Sequence, residues 1–245
     1  VSTSVGLSLR RRYRNSEALR GYSLLSPTLL TMIFGLAMPL IVLVTLSFWL
    51  QDYLDFIRTF SLKNYSDFFA KPIYGKILFK SIRISGLVTL ATVLLAYPMA
   101  YFIAFRIQRN KLVWLILITV PFWTSYLLRV FAWKLMLGYN GVVNSGLKSL
   151  GLISEPLEFL LYNPTAVTIT LAHAWAAFAI LPIYVSLEKI DRSLLEAARD
   201  LGENAFMSFV RVTLPLSMPG VIAASLLVFI PTVGDYVTPS LVGGP

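Results

Sequence analysis

The sequence predicts an all-α integral membrane protein, because charged residues are scarce and the uncharged stretches between them are long. Of its 245 residues, 57% are hydrophobic and only 13% are charged, whereas soluble domains carry about 25% charged residues. About 20 apolar residues in a helix cross the hydrocarbon core of a bilayer. Five windows lack any charged residue, and they lie between Arg20 and Asp52, Arg83 and Arg106, Lys111 and Arg129, Glu158 and Glu188, and Arg211 and Asp235.

Each uncharged window predicts one membrane-spanning helix. An Asp, Lys or Arg at the bilayer centre costs about 3 kcal/mol on insertion, against about −0.5 kcal/mol for a Leu or Ile. Five such windows are therefore hard to reconcile with a soluble core. The third window is at the short limit for a span and is expected to borrow residues from beyond Arg129. The predicted spans are residues 22–49, 85–105, 112–128, 160–187 and 212–233.

The basic residues predict how the chain sits in the membrane. The amino-terminal tail, residues 1–21, carries five, and the connections after spans two and four carry three and four. These twelve basic residues compare with nine on the opposite side of the membrane, of which six lie in the long first loop. Short segments weigh most in the positive-inside rule. We therefore expect a cytoplasmic basic tail 1–21, a transmembrane domain 22–245 and a cytoplasmic loop 188–211.

Composition also argues against several classes of function. The net charge of +9 comes from basic residues between the spans, so we expect no nucleic-acid binding. With no Cys and a single His, neither a thiolate metal site nor a nucleophile–base pair can be assembled. The chain also lacks a glycine-rich phosphate loop. We expect neither an enzyme nor an ATPase, and no metal or cofactor.

The connection between spans four and five is too charged for the bilayer and carries helix signals. Ser193 and Glu196 have the spacing of a capping box, which predicts a short helix over residues 194–201. Gly202 suits the left-handed residue that ends such a helix. A second helix over residues 204–212 is expected to break before Pro215, because the residue before a proline avoids helical angles.

This predicted pair of helices carries more apolar side chains than it can bury alone. An exposed apolar unit of this kind suits insertion into a groove on a partner protein. The side chains concerned are Leu194, Leu195, Ala198, Leu201, Phe206, Phe209 and Val210.

The same connection resembles the EAA motif of permease subunits of ATP-binding-cassette (ABC) importers. The family pattern is Glu-Ala-Ala, three residues, Gly, nine residues, Ile, one residue and Leu-Pro. This chain has Glu196-Ala197-Ala198, Gly202, Val212 and Leu214-Pro215 at that spacing, with Val in place of Ile. We call residues 191–213 the EAA segment. The resemblance implies that the segment docks on a cytoplasmic ATPase through Glu196, Ala197, Ala198, Leu201 and Gly202.

The resemblance carries further expectations about architecture and partners. It implies the transmembrane domain of a type I ABC importer in the bacterial inner membrane, which usually has six core spans; with five visible, we expect a sixth beyond the carboxyl end. The expected partners are a dimer of ATPase subunits, a second permease subunit, an extracytoplasmic binding protein and membrane lipid. An ion-gradient-driven secondary transporter is the alternative, but the repeated halves and embedded ion sites typical of that class are not evident.

Three stretches narrow the expected substrate. Residues 121–137 (PFWTSYLLRVFAWKLML), 180–191 (ILPIYVSLEKID) and 233–245 (VGDYVTPSLVGGP) are similar to the branch of these permeases that carries spermidine, putrescine and related amines. The candidate substrate-path residues are Asp235, Tyr236, Trp123 and Trp175: the carboxylate would attract an amine and the rings would offer cation–π contact. An interfacial Asp and an aromatic belt at the span ends are the alternatives.

Overall fold

The computed structural model of the chain describes residues 16–52, 55–160 and 162–244, and nearly all of its regular structure is helical. Four basic residues of the predicted tail, Arg10, Arg11, Arg12 and Arg14, lie outside the described residues. The chain divides into two compact units, Val1–Lys76 and Ile77–Pro245, which are described separately. In the described residues, four helices are long and apolar enough to cross a membrane, or five if one bent pair counts as a single span.

The first unit contains the first predicted span. Helix α1 is Glu17–Ser47, and the 18-residue window that qualifies it as a span has no buried residue. It is followed by a two-stranded antiparallel hairpin, β1 (Leu50–Asp52) and β2 (Asp55–Ile57), and by helix α2, Lys63–Ala70. The side chain of Asn64 donates to the carbonyl oxygens of Ser47 and Trp49, at 2.9 and 2.8 Å. The bond to Ser47 satisfies a carbonyl that the end of α1 leaves unpaired, and the bond to Trp49 holds the turn that follows.

The second predicted span belongs to a longer helix than the sequence suggested. Helix α3 is Pro72–Tyr101, and a π-helical turn, Phe102–Arg106, continues it. Its buried residues recur at intervals of three and four, as one packed face of a helix requires: Ser85, Val88, Thr92, Ala96 and Ala100.

The third predicted span is bent, and the prediction of one helix over residues 112–128 is wrong in shape. Helix α4 (Lys111–Thr119) passes into a 3₁₀ turn (Val120–Trp123), and helix α5 (Tyr126–Leu137) follows. The arm Lys111–Trp123 and the arm Tyr126–Ser149 meet at 85°. The guanidinium of Arg129 donates to the carbonyls of Phe122 and Thr124, at 2.8 and 3.2 Å. These bonds satisfy backbone groups that the break leaves free.

The fourth and fifth predicted spans form the central helix pair. Helix α6 (Val142–Ser149) precedes helix α7, Pro164–Glu188, and the Asn163 side chain caps α7 by accepting from the amides of Thr165 and Ala166. Helix α10, Leu214–Val233, packs along α7. The two helices supply much of the buried apolar core: Val167, Leu171, Ala179, Ile180, Ile183, Leu187, Ala224 and Val228.

The segment between α7 and α10 joins the last span without a break. Helix α8 is Arg192–Asp200, helix α9 is Ala205–Ser208, and a π-helical turn, Phe209–Thr213, leads into α10. The predicted break before Pro215 is therefore wrong, and Ala205–Val233 is one continuous helical stretch. Pro215 lies in the first turn of α10, where its missing N–H does little harm because the wide turn before it has already changed the bonding pattern. A last short helix, α11, is Val237–Val242.

Candidate functional site

The EAA segment begins at a different cap from the one that its sequence pattern suggested. The carboxylate of Asp191 accepts from the amide of Ser193 at 3.0 Å, and α8 begins at Arg192. The capping box predicted for Ser193 and Glu196 is thus wrong, because Asp191, two residues earlier, takes the N-cap role. Hydrogen bonds from the backbone and the side chain of Ser193 hold the pKa of Asp191 below its ordinary value. The cap therefore stays charged at neutral pH and weakens only as the pH falls into the acidic range.

The corner of the EAA segment is a glycine in the left-handed region, as predicted. Gly202 has φ +86°. Its amide donates to the carbonyl of Arg199 at 2.9 Å, and the next amide, of Glu203, donates to that of Ala198 at 3.0 Å. This pair of bonds is the Schellman ending of a helix, in which glycine avoids the strain that a Cβ atom would bring.

A second set of contacts fixes the direction in which α9 leaves that corner. The side chain of Asn204 accepts from the amide of Met207 at 2.8 Å and caps α9. Arg211 in the following π-helical turn forms an ion pair with Glu203. Phe209 packs edge-on against the rings of Tyr97 and Tyr101. The EAA segment is therefore anchored at both ends and turns at one defined point.

Four of the five residues expected to dock on a partner are exposed. Glu196, Ala197, Leu201 and Gly202 are exposed, and Leu201 keeps 86% of its surface. Ala198 retains only 8% exposure, so it packs inside the segment instead of presenting a docking surface. Phe206, on α9 after the corner, is a further exposed apolar side chain, with 70% of its surface free. The segment thus exposes one acidic and several apolar side chains on either side of its corner.

A small cavity lies beside Glu196. It has a volume of about 280 Å³ and opens between the end of α3 and helix α8. Three arginines and one carboxylate line it, so its electrostatic character is basic. Arg106 was not singled out from the sequence, because it lies 90 positions before Glu196 and only the fold brings them together. The lining residues are Tyr101, Phe105, Arg106, Arg192, Leu195, Glu196 and Arg199.

At the other end of α10, the structure brings two of the substrate-path candidates together through a tyrosine. The carboxylate of Asp235 accepts from the hydroxyl of Tyr126 at 2.6 Å and from the amides of Val237 and Thr238 at 3.0 and 3.4 Å. The ring of Trp175 lies 6.4 Å from that of Tyr126. The sequence analysis missed Tyr126, for which the only signal was a phenol in an uncharged window.

The other two candidates stay apart from this cluster as solvent- or lipid-facing groups. Trp123 and Tyr236 are 82% and 80% exposed, and Trp123 lies at the bend before α5. The cluster also contains an unused hydrogen-bond donor. Within the described part of the chain, the indole nitrogen of Trp175 is buried and has no hydrogen-bond partner. A carboxylate, a phenol and an unpaired indole N–H therefore share one region between α5, α7 and α11.

The single histidine lies among aromatic rings. The ring of His173 lies 5.8 Å from that of Phe122 and 5.3 Å from that of Trp133. Among the described residues, no group of three His, Cys, Asp or Glu side chains is placed to hold a metal ion. His173 therefore belongs to the packing between α7 and the bent third span.

Comparison with known proteins identifies the family to which this chain belongs. Residues 28–245 match the family described as binding-protein-dependent transport system inner membrane component. The spermidine/putrescine transport system permease protein PotB of Haemophilus influenzae is 37% identical over 214 residues, which are 87% of this chain and 74% of that protein. PotB of Escherichia coli K12 is 38% identical over 208 residues, covering 84% and 75%. The inner membrane ABC transporter permease protein YdcU of E. coli K12 is 34% identical over 187 residues, covering 71% and 59%.

Solved structures agree on the fold. A bacterial ABC transporter that imports the acidic polysaccharide alginate superposes with a TM-score of 0.65 at 18% identity, covering 94% of this chain and 82% of that chain. The alginate transporter in complex with its pentasaccharide-bound periplasmic protein gives a TM-score of 0.66, again at 18% identity. The predicted all-α fold of an ABC importer permease is thus confirmed.

The two kinds of comparison lead to one identification. The family covers nearly the whole chain, and the curated relatives are permease subunits and not enzymes. The alternative of an ion-gradient-driven secondary transporter is thereby set aside. The chain is a multi-pass protein of the inner membrane, and it belongs to the family of binding-protein-dependent transport system inner membrane components, as a permease subunit of an ABC importer.

Proposed function

We propose that this permease passes a polyamine-like organic cation into the cell. The observation that carries the proposal is its 37–38% identity to spermidine/putrescine permeases over 84–87% of the chain. The alginate transporter shares the fold at only 18% identity and imports an acidic polysaccharide. One fold therefore serves substrates of opposite charge, and the choice between them has to lie in particular side chains.

Asp235 is the side chain that we propose attracts the amine. It is half-buried, and no cation forms an ion pair with it in the described residues. Its hydrogen bonds from Tyr126, Val237 and Thr238 hold the carboxylate in place without neutralising its charge. Trp175 beside Tyr126 offers an aromatic face, and such a face binds a cation by about 1–2 kcal/mol when water is excluded. Tyr236 and Trp123 are proposed to meet the substrate only on its way to this cluster.

The EAA segment is proposed to dock on a cytoplasmic ATPase. Its support is the exposed surface of Glu196, Ala197, Leu201 and Phe206 on an anchored corner. Because the segment connects α7 directly to α10, a push on the corner acts on both central spans. Closure of an ATPase dimer would then be coupled to the opening of the substrate path, and by linkage the substrate would also bias the ATPase.

The remaining partners and the orientation complete the proposal. Members of this family work in binding-protein-dependent systems, so an extracytoplasmic binding protein would deliver the amine to the end of the bundle that carries Asp235. A second permease subunit would complete the path, and two ATPase subunits would bind at the opposite end. The basic tail of residues 1–21 is proposed to lie in the cytoplasm, on the same side as the EAA segment.

Uptake measurements on the complete importer test this function. We expect cells that carry it to accumulate labelled spermidine, and unlabelled putrescine to compete with it. Detergent extraction of the tagged permease should also bring down an ATPase and a second permease. If the assembled complex hydrolyses ATP but takes up no amine, the proposed substrate is wrong, even though the family assignment stands.

Removing the charge of Asp235 should reduce amine uptake more than removing the Tyr126 hydroxyl that donates to it. We expect Asp235→Asn to lower uptake by roughly tenfold, because a charged hydrogen bond contributes about 1.5–3 kcal/mol. Tyr126→Phe keeps the carboxylate and removes only the phenol hydroxyl, so it should cost much less. The measurement is the initial rate of spermidine uptake at equal amounts of complex in the membrane. Equally small losses in the two variants would mean that the charge of Asp235 is not used and that its oxygen only accepts hydrogen bonds from the amides of Val237 and Thr238.

A further inference from the structure

We propose that Lys111 is a positioning residue that ties the beginning of the third span to the base of the EAA segment and passes the movement of that segment to spans two and three. The inference rests on the proposed docking role of the EAA segment. It adds a route by which the docking corner would act on helices other than the two that it connects.

The Lys111 ammonium group uses all of its bonding capacity at one point. It donates to both carboxylate oxygens of Glu188, each at 2.8 Å, and to the carbonyl oxygen of Ala104 at 2.9 Å. An ammonium has three N–H donors, and here each has its own acceptor. Lys111 thus joins Glu188, which is 77 positions away in the chain, to Ala104, which is 7 positions away.

Both acceptors lie at helix ends that need a positive charge. Ala104 belongs to the π-helical turn that ends α3, where the last carbonyls have no partner within the helix. Glu188 is the last residue of α7, and a carboxylate there faces the negative end of its own helix dipole. Lys111 relieves both conditions, so its removal would leave an unfavourable charge and an unpaired carbonyl at the same junction.

This contact differs from the other ion pairs in the burial of its cation. The Lys111 side chain is 19% exposed, whereas the cations of the other two ion pairs in the described residues, Lys71 and Arg211, are 56% and 64% exposed. Water and salt screen a sheltered pair less than an exposed one. Glu188 is itself 41% exposed, so the shelter in this pair comes from Lys111, which is also held by the carbonyl of Ala104.

The position of Glu188 connects this contact to the docking corner. Only Lys189 and Ile190 separate it from Asp191, the cap of α8. The π-helical turn after α3, helix α4 and helix α7 all contact one another around Lys111. A displacement of the EAA segment must therefore either move the ends of α3 and α4 with it or break the Lys111 bonds.

The test is the amount of substrate taken up per ATP hydrolysed by the complete importer in proteoliposomes. Lys111→Met keeps the length of the side chain and removes its three donors, and we expect it to lower uptake per ATP by roughly tenfold while ATPase subunits still co-purify. Lys71→Met makes the same change at the exposed pair with Asp67 and should leave the ratio unchanged. Lys111→Arg, which restores charge and donors, should recover most of the loss.

Two further measurements separate coupling from folding and from docking. Glu188→Gln keeps the shape and one acceptor, so it should insert normally and still lower uptake per ATP. The proposal is overturned if Lys111→Met and Glu188→Gln leave uptake per ATP unchanged, or if uptake and hydrolysis fall together in both. Failure of the unaltered chain to retain an ATPase would overturn the docking role itself, and this inference with it.

Discussion

Gly202→Pro is expected to reduce substrate uptake by roughly tenfold or more while the permease still inserts in the membrane. Proline fixes φ near −65°, whereas Gly202 has φ +86°. It also removes the amide that donates to Arg199 at 2.9 Å. The Schellman corner cannot form with proline there, so α9 must leave α8 in a new direction. The caps at Asp191 and Asn204 stay in place, so each short helix persists while the docking surface that they share is lost.

A second glycine in the same conformation provides the control for this prediction. Gly151 follows helix α6 with φ +70°, and its amide donates to Lys148 at 3.0 Å. Neither glycine has an atom within 4 Å of where a Cβ would lie, so Gly151→Pro does the same local damage at a different helix end. We expect Gly151→Pro to keep most of the uptake. Spermidine uptake and ATP hydrolysis in proteoliposomes measure both variants, and normal uptake by Gly202→Pro would refute docking through this corner.

The positions of the last two long apolar helices could be predicted because the physical signal for them is local. An uncharged window is visible without knowing what lies beside it, and the fourth and fifth spans, predicted over residues 160–187 and 212–233, are found at Pro164–Glu188 and Leu214–Val233. The left-handed conformation of Gly202 could be predicted equally well, because the need for a left-handed residue after a short helix is also local. These predictions depend on the chain's own chemistry over fewer than about 30 residues.

The features that the sequence did not predict depend on distant contacts or on competing local signals. The bend at residues 124–125 is stabilised by the guanidinium of Arg129 turning back onto carbonyls of the preceding turn. The sequence analysis took Ser193 as the cap of α8, but Asp191, an equally good cap two residues earlier, takes that role. The bond between Tyr126 and Asp235 joins residues 109 positions apart. Such pairings follow from the packing of spans and leave no pattern in the chain.

Gly220→Ala is expected to destabilise the permease by about 2 kcal/mol, an effect that belongs to the contact between α7 and α10. A Cβ at Gly220 would lie 2.4 Å from the Cβ of Ser186 and 2.5 Å from the carbonyl oxygen of Pro182. Neither contact can be relieved by a rotamer change, because the Cβ of Ser186 and the carbonyl of Pro182 are both fixed by the backbone of α7. The two helices would have to separate, and close approach through small residues is what holds membrane helices together.

The same kind of substitution at an uncrowded glycine should stabilise the permease instead. Gly86 lies in helix α3 with nothing within 4 Å of its Cβ position, so Gly86→Ala should stabilise the helix by roughly 0.5–1 kcal/mol. Thermal unfolding in detergent measures both, and we expect the midpoint to fall by about 5 °C for Gly220→Ala and to rise slightly for Gly86→Ala. If both midpoints rose, α7 and α10 would be farther apart than these distances require. Because the EAA segment connects those two helices, their spacing also sets where its docking surface lies.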